Sequence, residues 1–343
     1  MTSLMHGVGD GEDELLQQSL REESALYKLG LMAAGGAAMA GAAVLVSSLA
    51  GQDPWGGASL SWHTAGAALA GAALGAPLAA LRHQTWSRDA ADALPALGDM
   101  HRLMAEEAEP WLCSFSHPQL AAHAALEVLP TTLLLLPAAQ GGISAGLGYA
   151  ASILQGAFVA SPAAAAAAAG GPATAAALDA APGALGAAAA AGLPSGAGAL
   201  AALLLTAAAA GAAQSTNLVT AEEEVDILRD AVHSADRYYR LTAMEVGSTA
   251  ADADRASTAF KAVAVSWMEM REDASSLAGS VAFLDVISIS AIWYMTGDLA
   301  AAATAALAVA GVDYYHLHRL ATQRGGARRG LRAAAKSPGG ESG

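Results

Sequence analysis

The stretch from Trp111 to Ala221 carries two formal charges, Glu127 and Asp179, and is otherwise built mostly of alanine, glycine and leucine. A water-soluble globule cannot be wrapped in such a segment, because folded soluble domains carry about 25% charged residues. The rest of the chain does not restore the balance. Across 343 residues, 54% are hydrophobic and 14% charged. The net charge of −14 comes from 17 Lys and Arg against 31 Asp and Glu. An ordinary cytosolic enzyme domain is thereby excluded, and the chain reads as an integral membrane protein in contact with a lipid bilayer. The acidic balance leaves no electrostatic footprint for nucleic acid. A lone cysteine, Cys113, excludes an intrachain disulfide and a zinc ribbon.

The first 28 residues read as an acidic amphipathic arm. Asp10, Glu12, Asp13 and Glu14 lead into Leu15, Leu16, Leu20 and Leu26, with Ser19 and Glu22 at capping-box spacing. This arm is neither the basic start of a signal peptide nor an Arg-rich transit peptide. Either the first span is itself the insertion signal, or the sequence is a mature form whose presequence is absent.

Residues 29–160 predict a four-span region. Leu29 to Gln52 is free of charge and, as a helix, about 36 Å long, enough for a hydrocarbon core of about 30 Å. A second span from Trp62 to Leu81 is entered past Trp55 and closed by Arg82 and His83, with Gly71 and Gly75 at GxxxG spacing. A third runs from Gln119 to Ala138, interrupted by Pro130 and Pro137, and a fourth from Ile143 to Ala160. Residues 161–219 are Ala-rich and of low complexity; the tract from Ser161 to Pro194 is open to spanning, to lying at the interface or to forming a helical loop, and Ala197 to Ala213 is a further candidate span. At 279–318, Val281 to Met295 and Leu299 to Val312 form a transmembrane hairpin across Gly297, where Asp298 can cap the returning helix. Residues 319–343 form a basic, disordered tail. Every Lys- or Arg-bearing segment lies on one side if the chain makes six or eight crossings. The fold class is therefore all-α: a polytopic helical bundle of 6–8 spans with an antiparallel helical hairpin outside the membrane.

That hairpin occupies 220–278. Val225, Leu228, Val232, Ala235, Tyr239, Thr242 and Val246 alternate at three and four residues. After a break at Gly247 and Ser248, a second seam follows through Ala253, Ala256, Phe260, Val263, Trp267, Met270, Ala274 and Leu277, continuing into Val281 and Leu284. The first arm is about 39 Å long. The seams either bury each other or present a docking surface. For docking, the candidate partner-binding residues are Arg237, Tyr238, Tyr239, Arg240 and Trp267, since aromatic and Arg side chains are the commonest interface anchors.

Ionisable groups within spans mark candidate chemistry. Glu127 has His123 one turn before it on the same helix face, an arrangement open to helix packing, to a proton or ligand role, or to hydrolysis. Asp285 is read as pairing with His63 or with a backbone group. Asp313, His316 and His318 follow a span end beside Tyr314 and Tyr315, where polar and aromatic residues belong to the interface. The sequence contains no HExxH, GxSxG or P-loop, so no metal site and no cofactor is assigned.

Two segments carry a family resemblance: EVLPTTLLLLPAAQG from Glu127 to Gly141, and AFLDV from Ala282 followed by IWYMTGDL from Ile292 to Leu299. In these the chain resembles chloroplast membrane proteins of plants and algae that act in balancing chlorophyll metabolism and are distantly related to the CAAX-type (Abi) prenyl endopeptidases. Those peptidases carry a Glu-Glu pair followed by Arg on one helix and histidines on later ones. With Glu127 at the second Glu position, Leu126 stands at the first and Thr131 at the Arg, and no histidine lies between Glu127 and His233. The resemblance therefore implies a non-enzymatic scaffold or regulator in a chloroplast membrane, thylakoid or envelope, binding membrane or membrane-associated proteins through the 220–278 hairpin. The alternative is a transporter or intramembrane endopeptidase centred on Glu127 and His123.

Overall fold

A computed structural model of the chain describes residues 19–20, 22–147, 195–218 and 222–336. Most of the acidic arm, most of the fourth span, the alanine tract at 161–194 and the end of the tail lie outside the described residues. All elements within them are helical. In chain order these are α1 (Ala25–Leu49), α2 (Trp62–Thr85), α3 (Arg88–Ala93), α4 (Pro95–Leu112) and α5 (His117–Leu133), then α6 (Ser195–Leu218), α7 (Glu222–Val246), α8 (Ala250–Thr296) and α9 (Leu299–Lys336). Five helices are long and apolar enough to cross a membrane: α1, α2, the helix His117–Leu147, Gly198–Leu218 and α8. Helix α9 is not among them. Its apolar stretch from Leu299 to Val312 would be about 21 Å long as a helix, short of a 30 Å core.

The break expected between the third and fourth spans does not exist. Helix α5 continues through a π-helical segment, Leu134–Gln140, and on to Leu147 without a turn. Pro137 lies inside that segment. Proline lacks an N–H and crowds the preceding turn, and a widened turn accommodates this without ending the helix. The segment also points Gln140 into the bundle. Its amide Nε2 donates to Ser290 Oγ at 2.7 Å, and its Oε1 accepts from Tyr294 OH at 3.0 Å.

Local chemistry sets the other helix ends. Ser24, Ser61 and Thr249 each accept a backbone N–H at the first turn of α1, α2 and α8, and Ser116 forms a capping box with Gln119. Helix α8 stops at Gly297, whose φ of +67° favours glycine, and Asp298 then caps α9 through the N–H of Ala300 at 2.9 Å.

Small residues bring the helices together. Helices α2 and α9 run in the same direction, with Gly71 against Ala301 and Gly75 against Ala305. Helices α6 and α8 cross where Gly211 and Gly279 face each other's carbonyls. Lipid tails are as apolar as leucine, so close backbone approach rather than expulsion of water drives such contacts. Lys28 is buried with its ammonium on the carbonyl of Pro110 at 2.7 Å and Ser114 Oγ at 3.0 Å, which ties the start of α1 to the end of α4.

Helices α7 and α8 pack side by side after the chain reverses at Gly247 (φ +77°). Asp236 accepts from Ser257 Oγ at 2.6 Å and from Lys261 Nζ at 2.7 Å, and Arg240 pairs with Asp254 at 3.2 Å. The Lys261 and Ser257 hydrogen bonds hold the Asp236 carboxyl below its usual range. The buried stripe of α8 differs from the expected seam. Ser257 and Ala264 are buried, whereas Val263 and Leu284 are exposed, and Val246 of α7 is exposed as well. Ala253 and Ala274 of the expected seam are buried as read, and Ser257 takes a seam position through its bond to Asp236.

Candidate functional site

Asp285 on α8 and Asp313 on α9 are acids in apolar helical surroundings, and such groups need a counter-charge. Arg82, near the end of α2, supplies it. Its Nη2 donates to Asp285 Oδ2 and its Nε to Asp313 Oδ2, both at 2.8 Å. Trp86 Nε1 donates to the other Asp313 oxygen at 2.8 Å. The planar guanidinium fork makes this division possible, because two donors leave it in different directions. Asp285 is thus tied to Arg82. His63 stands instead 3.7 Å from Asp298 at the opposite end of the bundle.

Glu127 enters the same region from α5. Its Oε2 accepts from Tyr314 OH, and His123 Nε2 lies 3.6 Å from the same oxygen, beyond hydrogen-bond distance. The ring of His123 is buried and meets Tyr314 edge-on at 5.2 Å. Glu127 and His123 are therefore neighbours, as their spacing predicts, and the group that completes the set is Tyr314. Between α5, α8 and α9 lies a cleft of about 230 Å³, with Arg82, Glu127, Asp285, Asp313 and Tyr314 at one end.

Outside the spans, Trp86 stacks on His101 of α4, their ring centroids 3.7 Å apart, and on His316 at 5.0 Å; His316 Nε2 in turn lies 3.0 Å from His83 Nδ1. Burial first, then the nearby positive charges of Arg82 and His316, push His101 down to about 4. Its Nε2 has no hydrogen-bond partner, as suits a neutral packed ring. The unfolded chain takes up this proton near the ordinary 6.5 and the folded chain near 4. Stability should accordingly fall as pH is lowered from 6.5 to 4, by an amount on the order of 3 kcal/mol at 1.36 kcal/mol per unit. His101→Phe keeps the stack and should flatten that slope in thermal melts of the detergent-solubilised protein. An unchanged slope would assign it to other groups.

The five residues expected to anchor partners divide between two environments. Tyr239 is half-buried against Phe260, and Trp267 is half-buried with the Arg271 guanidinium 4.4 Å above its ring. Arg237, Tyr238 and Arg240 are exposed. Ile227, Leu241 and Met244 of α7 are exposed too, and Met244 reaches 79%. Sequence reasoning missed Arg82 and Tyr314, which look like span-end and interface residues. The signal that could have found Arg82 is two lone acids in apolar helices with no other base near enough in the spans. Among the described residues no group of three His, Cys, Asp or Glu is placed to hold a metal ion. No family model matches this chain, and comparison with curated proteins and with solved structures finds no similar protein.

Proposed function

We propose that this chain is an integral membrane scaffold that recruits partner proteins through α7 and the first half of α8, an antiparallel hairpin standing outside the bilayer. The observation that carries this reading is the set of exposed large apolar side chains, Ile227, Tyr238, Leu241 and Met244, on a helix otherwise rich in charge. Lipid does not account for these, because a segment bearing this many ionised groups does not enter hydrocarbon. Apolar groups gathered on an aqueous surface mark a protein contact. In this reading α9 returns alongside α2, and the hairpin shares a side with Lys28, Arg88 and Arg102, as the distribution of Lys and Arg favours.

Hydrolysis is the weaker reading. A peptidase needs a base free to activate water and donors free to steady an oxyanion. The Arg82 donors that reach this cleft are already held by Asp285 and Asp313, which leaves no cationic donor there to steady an oxyanion. The resemblance carried by Glu127 to Gly141 supplies the organelle, a chloroplast membrane, and the context, chlorophyll metabolism.

Leu241→Asp combined with Met244→Asp places two charges on the outer face of α7 and leaves Asp236, Ser257 and Lys261 untouched. Truncating an interface anchor costs about 2 kcal/mol or more, close to thirtyfold in affinity. Pigment-synthesis enzymes that co-purify with the full-length protein in mild detergent should be lost from the double variant, while its elution volume stays the same. Undiminished recovery would overturn the reading.

A further inference from the structure

The cleft between α5, α8 and α9 is polarised along the helix axes. Its charged end is formed by Arg82, Glu127, Asp285, Asp313 and Tyr314. Leu135, Leu136, Ile289 and Ala306 form the other end, some four to nine residues further along their own helices, or about 6–14 Å. The charged end lies toward α4 and the start of α1, and the apolar end toward the middle of the bundle. A lipid of that leaflet has the same polarity, with its head outward and its tail toward the midplane.

The charged end is also short of positive charge. Three carboxyl groups face one guanidinium. With all three ionised, the site stays negative even if His123 carries a proton beside Glu127. Arg82 is committed through two donors to Asp285 and Asp313. On Asp285 and Glu127, by contrast, one oxygen each is engaged. No donor among the described residues reaches Asp285 Oδ1 or Glu127 Oε1. The two side chains are 41% and 48% exposed, whereas that of Arg82 is 14% exposed. Open acceptors above an apolar slot suit a head group that donates hydrogen bonds and carries positive charge.

We propose that this cleft binds a single-chain amphiphile through a protonated amine head, received by the free oxygens of Glu127 and Asp285, with its aliphatic chain lying between Leu136, Ile289 and Ala306. An anionic head would meet the surplus carboxylates, with the guanidinium already engaged. A neutral head would leave that surplus uncompensated. The inference is independent of the scaffold reading, since it concerns the membrane-embedded cleft and not α7.

The test uses the full-length protein in phosphatidylcholine vesicles at neutral pH, with three diazirine-bearing alkyl probes of equal chain length that end in an ammonium, a hydroxyl or a carboxylate. Cross-linked peptides are mapped by mass spectrometry. The amine probe should label 127–136 and 306–314 about tenfold more than either of the others, the ratio that about 1.4 kcal/mol of head-group preference produces. Glu127→Gln should reduce that labelling about tenfold. Ala310→Phe fills the slot without altering charge and should remove labelling by all three probes. Equal labelling by the three heads would overturn the proposal and reduce the cleft to a tail-filled groove. Labelling indifferent to both substitutions would overturn it as well.

Discussion

Replacing Arg82 with methionine is expected to cost about 3–5 kcal/mol of stability, the penalty for removing one partner of a buried ion pair. Methionine keeps most of the side-chain volume, so the loss reports on charge. Asp285 and Asp313 would be left facing each other with Trp86 Nε1 as the donor still bound to Asp313. The two acids come from α8 and α9, so their repulsion opens the bundle at the level where both helices meet α2. Arg82→Lys should recover only part of the loss. A single ammonium cannot reproduce two donors, Nε and Nη2, aimed at different carboxylates. Adding Asp285→Asn and Asp313→Asn to Arg82→Met removes the surplus charge and should recover most of it. Denaturant unfolding in mild detergent, followed by tryptophan fluorescence, would separate these cases. If Arg82→Met costs no more than the triple variant, the three residues are not an electrostatic unit.

Much of this arrangement was legible in the sequence. Charge-free stretches of membrane length mark α1 and α2, and an apolar run interrupted by Asp285 marks the span within α8, because a helix crossing lipid must be apolar along nearly its whole length, whatever its neighbours. Capping and turn chemistry was equally local: Gly247 and Gly297 take positive φ where the sequence breaks its pattern, and Asp298 caps α9. Glu127 and His123 could be paired from spacing because one helix carries both.

What was not legible depends on partners distant in sequence. The Arg82 bonds join residues more than two hundred positions apart, and helical periodicity carries no information on which helices adjoin. Pro130 and Pro137 suggest interruption, whereas His117–Leu147 stays continuous through a π-helical segment whose Gln140 bonds Ser290 and Tyr294, 150 and 154 positions away. Helix α4 falls between two spans and invites reading as a loop. Yet Leu97 and Met100 pack with Leu218, Ala274 and Ala278, while Ala105 and Leu112 pack with Leu317 and Ala321. The α8 seam shifted for a related reason. A heptad reading ranks Val263 above Ser257, yet Ser257 is the buried one and bonds Asp236 on the facing helix, a pairing that periodicity does not encode.

Gly71→Val is expected to cost about 3 kcal/mol or more, at the upper end of what overpacking a close contact produces. A Cβ at this position would stand 2.1 Å from the carbonyl oxygen of Ala301 and 2.5 Å from its Cα. Those are backbone atoms, so no rotamer change relieves the clash and α2 must move away from α9. Gly66, on the same helix, has nothing within 4 Å, and Gly66→Ala should be neutral or stabilising by up to about 1 kcal/mol. The contrast separates close packing from a general dislike of substitution in α2. Displacing α2 should also withdraw Arg82 from Asp313, because Gly71 and Arg82 lie three turns apart on one helix facing the same partner, with Pro77 between them. Gly71→Val and Arg82→Met should therefore be less than additive, since the first already weakens what the second removes. Strict additivity would show that the glycine contact and the ion pair form independently, and that α2 bends between them.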